Sequence, residues 1–300
     1  MTKNLIYPIG ILITILLGTY FYFTCCSTCG TEEVVVEKAI TPVIPEATSY
    51  PFSFSDGDFS YDVNDNFNFN ASSSTILLPL SAKVDTGIVG LKDFLANNIG
   101  KVFNITGYYK ASEENNSVFP NLGLARANAV KNYLVEKGIS SSSLNTSGKL
   151  MDEMVQNTEN VFLGPIAYSI SGETEDLDNE LKALYEKIKA DPLIIYFETG
   201  EAAINLSAEQ KQKVADISRY LDKIDTASSS VIGHTDNKGS RALNTNLGQE
   251  RADFVKTYLI NNGISASKIS SSSKGPDAPI ATNETEEGRS KNRRTEVTLN

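Results

Sequence analysis

A chain of 300 residues, 40% of them hydrophobic, is long enough to fold into one to three globular domains. Its formal net charge of −10 argues against nucleic acid as a partner, since phosphates demand a basic face. A single histidine excludes a multi-histidine metal site, and no metal or other cofactor is expected.

The first segment is apolar. Leu5 to Thr24, LIYPIGILITILLGTYFYFT, runs for 20 residues without a charge. As a helix it spans about 30 Å, the thickness of a bilayer core. Tyr20, Phe21, Tyr22 and Phe23 suit the far interface, and Lys3 is the positive flank. The first charges beyond are Glu32 and Glu33, so the positive-inside rule keeps the N-terminus in the cytoplasm and exports the rest of the chain. The YFYFT ending makes a poor cleavage site, so residues 1–30 read as an uncleaved single-pass anchor, which favours the inner membrane, with the outer membrane as the alternative. All three cysteines, Cys25, Cys26 and Cys29, sit in CCSTCG beside this span. They read as surface thiols, or alternatively as a means of joining two chains by disulfides.

Residues 31–66 carry Pro42, Pro45, Pro51 and several acids with no helical period, and read as a flexible tether. Beyond them one unit is written twice. GLARANAVKNYLVEKGI, from Gly123, aligns with GQERADFVKTYLINNGI, from Gly248, placing Arg126 on Arg251 and Gly138 on Gly263. The period is too long for a solenoid, so residues 67–172 and 193–300 are expected to be duplicated domains. Residues 173–192 form a linking amphipathic helix that stops at Pro192, with Leu177, Leu181, Leu184, Tyr185 and Ile188 on one face.

In the second copy LIIYF is a short buried strand, and Ser207 with Gln210 three residues on is a capping box opening a helix. SSSVIGHT is the next strand. Ala242 to Asn261 is a helix with Leu247, Ala252, Val255, Tyr258 and Leu259 inward, closed by Gly263. KISSSSKG and RTEVTLN are two more strands, with a short polar helix carrying Arg289, Arg293 and Arg294 before the last. The pattern predicts an α/β sandwich of helices on a mixed sheet.

VIGHTDNKGSRALNTNLGQER places His234, Thr235 and Asp236 at a strand exit, with Asn244 and Arg251 two turns apart on the next helix. One acid, one amide and several arginines suit a zwitterion: carboxylate for ammonium, guanidinium for carboxylate. They suit hydrolysis poorly, because no serine or cysteine pairs with a base there. His234 reads as a hydrogen-bonder that orients the loop rather than as a base, and Arg294 as a scaffold residue.

GHTD…G…N…L…RA…V…YL…GI, followed by P…N…T…EGR…NRR…EV, resembles the OmpA-like C-terminal domain, the peptidoglycan-associating module. The resemblance covers about Leu193 to Asn300 and is weak in the first copy. It implies a β-α-β-α-β-β fold that binds the diaminopimelate of peptidoglycan stems without chemistry. On it, Asp236 meets the diaminopimelate ammonium and Arg251 its carboxylate, while Thr235, Asn244 and Arg293 support them; Arg289 is a further candidate. Gly248 stands where the family usually has serine. The reading is a membrane-anchored wall tether, not an enzyme. The rivals are a stator or transport component using the same module, and a wall-turnover hydrolase with His234 as base. In the first copy Lys110 stands at the place of Asp236, Tyr108 and Tyr109 at those of His234 and Thr235, and Phe119 at that of Asn244. Two cations, Lys110 and Arg126, are therefore expected to face a site unable to hold diaminopimelate.

Overall fold

The computed structural model describes residues 6–26, 46–173, 176–197 and 205–300. Lys3, Cys29 and the 31–45 part of the expected tether lie outside the described residues. The chain divides into two compact units, Met1–Pro45 and Glu46–Asn300.

In the first unit, Ile6–Phe21 forms helix α1, which ends in a π-helical turn, Tyr22–Cys26. Pro8–Cys25, with a mean hydropathy of 1.7, is long and apolar enough to cross a membrane. The hydroxyls of Thr14, Thr19 and Thr24 donate to backbone carbonyls of the preceding turn, so none of these three depends on water. Cys25 is exposed and free. The inter-chain disulfide expectation gains no support from it, and the side chain of Cys26 lies outside the description.

The second unit corrects the tether. Phe52–Asp56 (β1) and Phe59–Val63 (β2) form an antiparallel hairpin, with Phe52 and Phe54 buried. The signal was present in FSFSDGDFSYDV, where apolar residues alternate about an Asp-Gly turn. Proline and acid content masked it. Phe52 packs edge-on against Tyr168 at 4.9 Å and Phe54 against Phe103 at 5.1 Å, so the hairpin is part of the first copy's core.

The first copy continues as β3 (Phe69–Asn70), α2 (Ala82–Asn97), β4 (Lys101–Tyr109), α3 (Leu122–Glu136), β5 (Leu144–Leu150), β6 (Val161–Phe162) and β7 (Ile166–Gly172). Its main sheet has the order β5-β4-β7, parallel then antiparallel. The leading strand β3 does not join that sheet but pairs with β6, Phe69 opposite Phe162. α4 (Leu177–Ala190) follows, with Leu181 and Ile188 buried, and it lies against the second copy.

The second copy runs β8 (Leu193–Tyr196), α5 (Ala208–Lys223), β9 (Ser229–His234), α6 (Arg241–Asn261), β10 (Ile269–Gly275), α7 (Glu286–Asn292) and β11 (Arg294–Leu299). Its mixed sheet has the order β10-β9-β11-β8. Ser207 and Gln210 form the capping box. Leu247, expected inward on α6, is 40% exposed; Gly248 and Arg251 face the sheet instead.

In each copy a helix backbone touches a strand backbone through glycines. A Cβ on Gly107 would overlap the Gly123 carbonyl, and one on Gly233 the Gly248 carbonyl. At Gly248 the hydroxyl of Ser273 fills the space a side chain would need, which accounts for glycine where the family pattern has serine. The copies share a core: Val118, Phe119, Leu122 and Ala125 of the first lie in one buried cluster with Val214, Ile217, Val255 and their neighbours of the second. Phe119 therefore serves packing where Asn244 serves the site. Lys131, 1% exposed, reaches Asp222 across this junction at 2.5 Å.

Candidate functional site

Two loops at the carboxyl end of the second sheet build the site. The first follows β9. Gly239 has φ +92°, open to glycine at no steric cost, and lets the chain turn into α6. Ser240 caps α6 by accepting from Leu243 N–H. Asn244, 5% exposed, donates its amide to the Lys238 carbonyl at 3.0 Å. Lys238 N–H in turn donates to Asp236 Oδ1 at 3.0 Å, and Thr235 N–H donates to the Gly275 carbonyl at 2.9 Å. Asn244 and Thr235 thus hold the loop that presents Asp236, the Asn244 amide N–H and the Thr235 hydroxyl being spent on backbone; the Thr235 hydroxyl donates to the Asp236 carbonyl.

The second loop, residues 276–285, is held from α7 and its C-cap. Asn292 is fully buried; its oxygen accepts from Ile280 and Ala281 N–H, and its amide donates to Ala281 and Asn283. Arg289 donates to the carbonyls of Asn283 and Glu284 and pairs with Glu286. Arg289 is therefore a brace for the loop, spent on it. Asn283 accepts from Asn237 N–H at 3.3 Å, which stitches the two loops together.

Charges meet between these loops. Asp236 Oδ2 accepts from Arg293 Nη1 at 3.0 Å, and Arg293 Nη2 donates to Glu286 at 2.8 Å. Burial opposes the Arg293 charge, but hydrogen bonds to Asp236 and Glu286 outweigh it and raise its pKa. The same contact from Arg293, then that from Arg289, lowers the pKa of Glu286. Arg251 does not pair with Asp236. It is 8% exposed, its guanidinium lies 5.4 Å over the Phe197 ring, and its Nη1 is buried without a hydrogen-bond partner among the described residues. Burial and then the neighbouring Arg293 lower its pKa, with Asp236 opposing. Arg293 reaches the carboxylate from the C-cap of α7, while the Arg251 guanidinium lies over the aromatic ring. A buried guanidinium N–H without an acceptor is costly unless something supplies one, and Asp236 offsets the burial of the charge only in part.

His234 differs from expectation. It is 2% exposed and, among the described residues, neither ring nitrogen has a hydrogen-bond partner, so no hydrogen bond from the ring orients the loop. Glu296 lies 3.8 Å away, beyond hydrogen-bonding distance. Burial, then Arg294, pushes its pKa down to about 4, so the ring is neutral near pH 7. Arg294 is buried on Glu296 at 2.7 Å, a scaffold contact. Phe197, Glu286 and Asn292 complete the site, and sequence reading passed over all three. Phe197 looked like core, and Asn292 was hidden among the arginines of KNRR.

The first copy holds its matching arginine differently. Arg126 is fully buried and donates to both oxygens of Glu113, at 2.5 and 3.1 Å. Lys110 turns its ammonium to the Met154 carbonyl at 2.7 Å. The expected pair of facing cations is therefore absent: one is neutralised by Glu113 and the other has turned away.

The model of the OmpA family matches residues 68–160 and 196–293, more than half of the chain and parts of both copies. The chain belongs to the OmpA family. This OmpA-family chain is 35% identical over 136 residues to outer membrane protein Omp38 of Acinetobacter baumannii, covering 45% of this chain and 34% of that protein. It is 33% identical over 148 residues to the peptidoglycan-binding protein ArfA of Mycobacterium tuberculosis, covering 49% and 43%. It spans roughly a third to a half of the length of such curated relatives. Among solved structures, the peptidoglycan-associated lipoprotein from Burkholderia pseudomallei is 23% identical with a TM-score of 0.33, covering 36% of this chain and 89% of that one.

Proposed function

We propose that this chain tethers an envelope membrane to the cell wall, its second copy binding the diaminopimelate of peptidoglycan stems without performing chemistry. The observation that carries the reading is the buried Arg251 guanidinium, with Nη1 unpartnered, beside the partly exposed carboxylate of Asp236. A ligand carboxylate would supply the missing acceptor for Nη1, and its ammonium would share Asp236 with Arg293. Thr235 and Asn244 hold the first loop, and Arg289 the second. The similarity to ArfA, a peptidoglycan-binding protein by name, supports the same reading. Helix α1 would sit in the membrane, with Glu46–Asn300 in the periplasm.

Two or three charge-assisted contacts of roughly 1.5–3 kcal/mol each give weak monovalent binding. A sacculus offers many identical stems, and avidity does the rest. A hydrolase reading would need His234 within reach of a substrate proton, but the ring is buried beside Arg294. A stator role would call for a carboxylate in the span, and Pro8–Cys25 contains none.

The test is sedimentation of the detergent-solubilised full chain with diaminopimelate-containing sacculi. The wild-type chain should co-sediment and release no soluble wall fragments, and Arg251→Met, folded by circular dichroism, should lose most retention. Undiminished retention of Arg251→Met would defeat the site, and His234-dependent fragment release would defeat the binding-only reading.

A further inference from the structure

Each oxygen of the Glu113 carboxylate receives one guanidinium and one backbone donor. Oε1 accepts from Arg126 Nη2 at 2.5 Å and Ser72 N–H at 2.9 Å; Oε2 accepts from Arg126 Nη1 at 3.1 Å and Lys110 N–H at 2.9 Å. This is a complete bidentate carboxylate cradle. Glu113 itself is 3% exposed. Ser72 presents its N–H from φ +55°, a conformation that disfavours a side chain and persists where the surroundings impose it.

The cradle does not depend on Glu113 for its shape. Arg126 also donates to the carbonyls of Ser73, Tyr108 and Asn70. Its guanidinium lies over the rings of Phe69 and Phe162, at 5.6 and 5.2 Å. The loop carrying Glu113 is pinned by other groups: Glu114 N–H donates to Ser72 Oγ at 3.0 Å, and Ala111 N–H to Asp152 at 2.8 Å. Both the arginine and the loops that carry the backbone donors thus have anchors besides the glutamate side chain.

We infer that the first copy retains a carboxylate-binding site which Glu113 occupies in cis, and that a free short-chain carboxylate takes its place when that side chain is truncated. Arg126 and Arg251 stand at matching positions on matching helices, each beside an aromatic ring. In the first copy the ligand has become part of the chain. A tethered carboxylate sees the cradle at an effective concentration that free ligand cannot match, so the native first copy is closed to outside carboxylates. This inference holds whether or not the second copy binds the wall, because it concerns a different site and is read by stability.

The test uses the full chain with Glu113→Ala, its thermal midpoint measured at pH 7.5 in sodium acetate and in sodium chloride at equal ionic strength. Truncation should lower the midpoint, and saturating acetate should recover about 2–4 °C of the loss relative to chloride. Wild-type protein should show no acetate-specific shift, because the cradle is full. Glu113→Gln, which fills the same space, should fold and likewise give no shift. The double variant Glu113→Ala/Arg126→Met should lose the acetate response. An acetate response equal in Glu113→Ala and Glu113→Gln, or one that survives removal of Arg126, would overturn the inference. So would a Glu113→Ala protein indifferent to acetate, or one that stays unfolded at every acetate concentration.

Discussion

Arg126 and Arg251 occupy the same place on the same helix of a repeated unit, yet one is sealed and the other open. Arg126 is fully buried on Glu113, three backbone carbonyls and two rings. Arg251 has one ring and an unpartnered Nη1. A paired buried charge anchors structure, and removing its partner is costly. One with an N–H left unpartnered holds binding capacity at the expense of stability. Duplication followed by one internal carboxylate separates the two roles: the first copy keeps the arginine for its fold, and in the proposed reading the second keeps it for a ligand.

The sharpest way to break this contrast is to remove each arginine in turn. Arg126→Met should destabilise the chain by about 3–5 kcal/mol in urea titrations, with sacculus retention unchanged while the chain is folded. Arg251→Met should cost less than about 1 kcal/mol, or stabilise, while removing most retention. Equal stability losses in the two variants would end the distinction.

A pH experiment tests whether acid sensitivity belongs to the second copy, since the first-copy counterpart of His234 is Tyr108. The folded ring protonates only near pH 4, against 6.5 for the free group. Between these values the unfolded chain binds the extra proton, so stability is complete above about pH 6.5 and falls as the pH drops toward 4. The loss should be at most about 3 kcal/mol. His234→Leu should flatten this part of the curve in denaturant titrations at pH 7 and 4.5, and an unchanged slope would locate the sensitivity elsewhere.

Asp236→Ala removes the proposed ammonium acceptor and leaves Arg293 with Glu286. Retention by sacculi should drop by about tenfold to thirtyfold, or roughly 2 kcal/mol, with circular dichroism unchanged. Retention equal to wild type would reassign the carboxylate to holding Arg293 alone. The smallest effect concerns the wall itself. Lysine in place of diaminopimelate deprives Arg251 of its carboxylate, and affinity should fall by about tenfold, or roughly 1.4 kcal/mol. Equal binding to both wall types would leave Arg251 without its assigned partner.

Much of this was legible along the chain. The apolar run of α1, the repeat register that puts Arg126 on Arg251, the capping box at Ser207 and the strand–helix alternation of the second copy are local patterns. Periodicity and capping act over a few residues and so can be read before any tertiary contact is known. Tertiary structure decided which charges meet. Asp236 had several arginines in reach by sequence, and the path of α7 gave it Arg293. Glu113 was one acid among many in an unremarkable loop until that loop folded over α3. Residues 46–66 read as tether because their prolines and acids hid a hairpin whose phenylalanines fill the first core. The shared core around Phe119 was likewise invisible, since only the packed copies bring it against Val214 and Val255. Partner choice depends on distances of a few ångströms between segments far apart in sequence, and only the folded chain sets those distances.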